Sequence, residues 1–211
     1  MSEIRHHVTD AMLAAYAAGS LPHPFAVLVS AHVSMCPDCR AALEAHQAVG
    51  GVLLDQAAPV ALSGGLKADI LSRLDDEFPS EPVYARSGVY PGPIMQTLKG
   101  RAPRWKSLGM GVRQDILSEN AEGSVRLLYI PPGQAVPDHG HNGLELTLVL
   151  QGSFSDETGR FGPGDLEIAD EELEHTPVAD PGEACICVAA TDARLRFRSA
   201  LPRLLQPFFR I

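Results

Sequence analysis

The chain is predicted to be a multidomain α plus β protein: an N-terminal bundle of about four helices, then a C-terminal β-barrel or jelly roll. Two observations carry this reading. Over residues 1–78 apolar residues recur at helical spacing between capping residues and Gly or Pro stops, whereas from Trp105 onward short β-type runs alternate with Gly, Pro, Asn and Asp. A third observation is that metal-ligating residue types gather twice, once in each part. His32-Val33-Ser34-Met35-Cys36-Pro37-Asp38-Cys39 holds two of the 4 cysteines, and His139-Gly140-His141 stands in the β-type region.

Taking the elements in order, Thr9 or Asp10 caps a first helix whose apolar face is Met12, Leu13, Tyr16 and Ala17, and Gly19 ends it. Pro22 and Pro24 mark a turn, and Phe25 to Ser34 reads as a second helix that delivers His32 near its end. Pro37 suits the first turn of a third helix because its missing N–H is no loss there. Cys36 then lies at the positive end of that helix dipole, which favours a thiolate. The third helix is expected to run to Gly50-Gly51 and to resume through Leu54. A fourth helix starts after Ser63 and shows Leu66, Ile70, Leu71, Leu74 and Phe78 on one face.

His32 and Cys36 are four apart and share a helical face, while Cys36-x-x-Cys39 turns two thiolates toward one ion. Zinc is the expected metal. The earlier histidines are His6, His7 and His23, and we take His7 as the fourth ligand, clipping the start of the chain to the later helices. A buried histidine beside two buried thiols is the plainer alternative. The bundle has little apolar volume for its size, however, and domains this small commonly rely on a metal or a partner.

Residues 79–102 are rich in Pro and Gly without helical or strand periodicity and read as a linker. Beyond them, strands are expected over 112–117, 125–130, 144–150, 166–168 and 184–190. His139 and His141 lie on one face of an extended segment, Glu145 follows four residues on, and His175 is the remaining histidine of this half. These four are the candidate ligands of a second divalent ion. Cys185 and Cys187 share one face of a strand. A buried apolar pair is the expected role, with redox chemistry as the alternative if that face opens onto the metal.

The formal net charge of −9 argues against direct binding to nucleic acid and suits a basic partner. Residues 1–78 alone carry 9 acidic residues against 4 Lys/Arg. No apolar run approaches the ~20 residues needed to cross a bilayer, and no apolar signal region opens the chain, so a cytoplasmic location is expected.

Gly133-x5-His139-x-His141-x3-Glu145-x6-Gly152 is similar to the first motif of the cupin superfamily. The second motif is kept only in Gly164-Asp165 and His175, without its usual proline, glycine and closing asparagine. His7-x24-His32-x3-Cys36-x2-Cys39 with an amphipathic fourth helix resembles the zinc-binding anti-sigma domains, and the whole chain resembles ChrR-type anti-sigma factors. That resemblance extends over Arg5-His6-His7, Glu174-His-Thr-Pro-Val and the closing Gln206-Pro-Phe-Phe-Arg-Ile.

The resemblance implies His7, rather than His6, as the zinc ligand. It implies a partner, a sigma factor of the extracytoplasmic-function group, that is kept from core RNA polymerase and released under oxidative stress, with singlet oxygen and organic hydroperoxides as signals. Ile70, Leu74 and Phe78 are the expected contacts with it. The competing expectation is a metal-dependent cupin enzyme, a dioxygenase or isomerase, with the helical part as a regulatory appendage. Turnover of a small substrate separates the two.

Overall fold

A computed structural model describes residues 3–77, 80–193 and 196–197. Phe78, one of the expected partner contacts, and the closing segment from Gln206 lie outside the described residues. The helices are α1 (Asp10–Ala17), α2 (His23–Met35), α3 (Pro37–Asp55), α4 (Leu66–Ser72) and α5 (Gly92–Thr97). The strands are β1 (Lys106–Gly109), β2 (Val112–Asn120), β3 (Gly123–Ile130), β4 (His139–Gly140), β5 (Glu145–Gln151), β6 (Phe154–Ser155), β7 (Arg160–Phe161), β8 (Leu166–Ala169), β9 (Glu174–His175), β10 (Val178–Ala179), β11 (Cys185–Thr191) and β12 (Arg196–Phe197).

Local chemistry explains the helix ends. Thr9 caps α1 by accepting from the Met12 N–H at 3.3 Å, and Gly19 leaves the helix at φ +69°, a conformation that favours glycine. Cys36 is both the last residue of the α2 turn and the N-cap of α3, with Pro37 opening the next helix. Helix α3 does not break at Gly50-Gly51 but continues unbroken to Asp55. Neither glycine takes a positive φ, so the pair costs helix propensity without forcing a turn.

The principal sheet is antiparallel with strand order β1-β2-β3-β11-β5-β8, and two three-stranded sheets, β10-β6-β7 and β12-β4-β9, complete the β fold. Alternation along its strands assigns the faces. Val125 and Leu127 of β3, Leu146, Leu148 and Leu150 of β5, and Ile186, Val188 and Ala190 of β11 join a core shared with Leu13, Phe25, Leu28, Val29 and Leu43 of the helices. The opposite face turns inward with Ile130, Val149, Cys185 and Cys187, which pack with Phe154, Phe161 and Ala179. Helix α2 thus lies against the sheet, in contact with β3, β5 and β11.

The stretch 79–102 differs from the expectation of a segment without periodicity. It contains α5, whose Ile94 and Leu98 are fully buried and whose Met95 is nearly so, in the same core as α2. A helix of 6 residues, capped by Pro91 and with Pro93 in its first turn, is too short to register as a periodic pattern, and packing against α2 is what stabilises it.

Helix α4 is shorter than its apolar pattern, ending at Ser72, and buries none of its residues. Ile70 is 53% exposed and Leu74, just past the helix, 68%. The far half of α3 is equally bare, with Val49, Val52, Leu53 and Leu54 all more than half exposed.

Candidate metal centres and partner face

The first cluster is assembled from the chain start and the α2–α3 junction. His7 Nδ1 lies 3.3 Å from Cys36 Sγ and 3.5 Å from Cys39 Sγ, and His32 Nε2 lies 3.2 Å from Cys39 Sγ. One nitrogen and one sulfur bound tetrahedrally to the same zinc stand about 3.6 Å apart, so the donors are spaced as a single ion requires. The ligand atoms of His7, His32, Cys36 and Cys39 all lie within 4.8 Å of one another. His6, by contrast, points away: its ring packs against Phe161 at 4.3 Å and its Nδ1 lies 3.5 Å from Asp165.

Electrostatics at this site suit a cation. Burial pushes the His32 pKa down to about 4, partly offset by the Gly164 backbone, so the imidazole is neutral and free to ligate. Burial pushes the Cys39 thiol up to about 11. A dication would reverse that by stabilising the thiolate directly.

The second cluster lies inside the barrel. Strand pairing sets His139 opposite His175 across β4 and β9. His141 Nε2 lies 3.3 Å from His175 Nε2, and His139, His141 and His175 form a buried trio with ligand atoms within 4.8 Å of one another. Two imidazole nitrogens on one tetrahedral zinc also stand about 3.3 Å apart. His139 gives its Nδ1 to the Pro137 carbonyl at 2.9 Å, leaving Nε2 for the centre. Burial holds the His139 and His141 pKa values below the ordinary histidine range.

Glu145 stands beside the trio rather than within it. Its Oε2 is 3.6 Å from His141 Nδ1, and its Oε1 accepts from Thr147 Oγ1 at 3.1 Å.

Two carboxylates behind His175 were not singled out by the sequence. Asp156 Oδ2 lies 2.6 Å and Glu167 Oε1 3.2 Å from His175 Nδ1. Burial works against charge on His175, but Glu167 and Asp156 outweigh it and raise its pKa to about 9. Burial, with Asp156 adding to it, lifts Glu167 to about 7. Asp156 stays well below the usual carboxylate range despite burial, held by hydrogen bonds from Glu167, Thr158 and His175. No spacing rule finds these two, because the β6–β7 turn and β8 reach His175 only through the fold.

Cys185 and Cys187 are buried on the barrel's inner face as a free pair. Cys185, burial and the charges of Glu145 and Glu167 together push the Cys187 thiol well up, so it stays protonated.

The fold and its clusters define a class of protein: a helical module with a two-histidine, two-cysteine metal-type cluster, packed on a β-barrel that carries a buried histidine trio. The family model described as ChrR Cupin-like domain matches residues 95–194. Over 99% of both chains the protein is 58% identical to the anti-sigma-E factor ChrR of Cereibacter sphaeroides. It is also similar to a chain in the crystal structure of Rhodobacter sphaeroides SigE in complex with the anti-sigma ChrR, with a TM-score of 0.81, 55% identity, and coverage of 90% of this chain and 100% of that one. The chain belongs to the ChrR family of anti-sigma factors.

Among the described residues no helix is long and apolar enough to cross a membrane.

Proposed function

We propose that this chain binds a sigma factor of the extracytoplasmic-function group in the cytoplasm, keeps it from core RNA polymerase, and releases it under oxidative stress by singlet oxygen or organic hydroperoxide. The observation that supports this most is the bare apolar surface of α4 and the end of α3, on a chain whose relative is an anti-sigma factor. Large apolar side chains left exposed in such number on two neighbouring stretches of the sequence are what a partner surface would cover. Ile70 and Leu74 are the contacts assigned on this surface, and Phe78, assigned with them from the sequence, lies outside the described residues. The excess of acidic groups over residues 1–78 suits basic, polymerase-facing surfaces on the partner.

His7, His32, Cys36 and Cys39 hold zinc as a closed structural site with four protein ligands. His139, His141 and His175, with Glu145 turned toward them, hold a second divalent ion, for which zinc is one candidate. That ion would supply open coordination positions, which the closed site lacks, and the barrel is therefore the sensing part. In this division of labour, residues 1–78 inhibit, 79–102 connect and 103–211 sense.

The test is purification of the full chain with its cognate sigma factor, followed by run-off transcription with core RNA polymerase. A one-to-one complex that blocks transcription is expected. A chain that forms no complex and leaves transcription unchanged overturns the reading.

A further inference from the structure

The turn between β7 and β8 touches both clusters. On the helical side, Asp165 Oδ1 accepts from the backbone N–H groups of Arg5 at 2.7 Å and His6 at 2.9 Å, while Oδ2 accepts from the Gly162 N–H at 2.8 Å. The Leu166 N–H donates to the His6 carbonyl at 3.1 Å. Residue 7, next along the chain, is the histidine facing Cys36 and Cys39.

Gly164 closes the contact. It sits at φ +94°, and a β-carbon there would lie 2.5 Å from Ile4 Cδ1 and 3.7 Å from Met35 Cε, so glycine alone allows the turn to press this close to the start of the chain and the end of α2. Its backbone also faces the buried His32 ring, whose Nδ1 makes no hydrogen bond of good geometry. Histidines that ligate metals commonly give their second nitrogen to such a backbone acceptor, which fixes the ring.

On the barrel side the same stretch continues into β8. Leu166 faces the core shared with the helices, and Glu167, on the opposite face, reaches His175 Nδ1 at 3.2 Å. Four consecutive residues thus reach both clusters: Gly164 faces His32, Asp165 and Leu166 hold the backbone beside His7, and Glu167 bonds to His175.

We infer that Gly164–Glu167 is the rigid bridge through which the barrel's metal site and the helical zinc site act on each other, with Asp165 as the positioning residue for His7. The inference rests on the reading that both clusters hold metal. With His175 fixed at the barrel site, Glu167 and the start of β8 are held, and the clamp on residues 5 and 6 keeps His7 in place. With the barrel site emptied, that end of β8 loses a constraint and the zinc ligands exchange faster.

The test uses the full chain with cobalt(II) in the helical site. Thiolate-to-cobalt absorption reports that site alone, because the barrel trio contains no thiolate. The measured quantity is the rate at which the band disappears in excess chelator. Emptying the barrel site with His141→Ala is expected to speed the loss several-fold.

Asp165→Ala, which frees the backbone beside His7, should speed the loss by about tenfold, the low end of the effect of removing a ligand's own outer partner, and should abolish the dependence on the barrel site. Asp165→Asn, which keeps one acceptor oxygen for Arg5 and His6, should fall between and shows the effect if the alanine variant does not fold. The cobalt ligand-field bands should shift with both variants, as a reoriented His7 requires.

Equal rates with the barrel site loaded and empty, or an undiminished difference in the Asp165 variants, would overturn the bridge. If the same proteins still silence the sigma factor, that result leaves the anti-sigma reading standing. Coupled rates in a chain that binds no sigma factor would do the reverse.

Discussion

His141 and His175 meet Nε2 to Nε2 at 3.3 Å inside the barrel. Two buried imidazoles at that distance share either a proton or an ion, and the third histidine, His139, turns a two-body contact into a metal-type site. The first prediction follows from this geometry. His175→Ala should remove the barrel's metal while the helical site keeps its own, measured as metal per chain falling by one equivalent. Unchanged metal content would count against the histidine trio.

Cys39 is 4% exposed, its Sγ within 3.5 Å of both His7 and His32. Cys39→Ser should lose zinc and helical content together, because an apparent zinc-binding energy of ~10–16 kcal/mol is comparable with or larger than the ~5–15 kcal/mol net stability of a typical domain. Metal analysis alongside circular dichroism checks it. A variant that retains full zinc would show that another residue completes the site.

Ile70 and Leu74 are more exposed than buried, so replacing them with aspartate should leave unfolding free energy within about 0.5 kcal/mol of the parent. Affinity for the sigma factor should fall by about tenfold or more for each, equivalent to about 1.4 kcal/mol. Titration of labelled sigma factor, with thermal melts as control, separates the two effects. Unaltered affinity would place the contact elsewhere.

Ile94 and Leu98 are fully buried between α2 and the rest of the core. Truncating either to alanine should cost about 2–5 kcal/mol, as large-to-small changes in packed cores do. The loss should be seen equally by probes of the helices and of the sheet, because both contribute to that core. Separate unfolding transitions with only one affected would contradict a shared core.

Asp165 has its pKa lowered; burial opposes ionisation, but the N–H groups of Gly162, Arg5 and His6 outweigh it. A carboxylate whose folded pKa is depressed adds stability that is fully present above its unfolded value, about 3.9, and is lost as pH falls through the folded value. The stability gap between the parent and Asp165→Asn should therefore stay constant from pH 7 to about 5 and narrow in stronger acid. Denaturant unfolding across that range measures it, and a gap that closes already near pH 6 would point to a histidine instead.

Much of this was legible in the sequence because short-range chemistry encodes it. Helical spacing, the Thr9 cap, Pro37 at a helix start and the C-x-x-C knuckle are local features, and α1, α2, α3 and the longer strands appear close to where those features put them. The histidines and cysteines that the fold gathers into two clusters were legible for the same reason: each set is mostly close in sequence. What only the tertiary structure decided are contacts between distant segments. α5 exists because α2 offers it a surface; Asp156 and Glu167 find His175 only when strands pair; Asp165 grips residues 5 and 6 from 159 positions or more away. The exposure of α4 belongs to this second group too, since an apolar stripe in a sequence specifies a face to be covered but not whether the covering surface lies in the same chain.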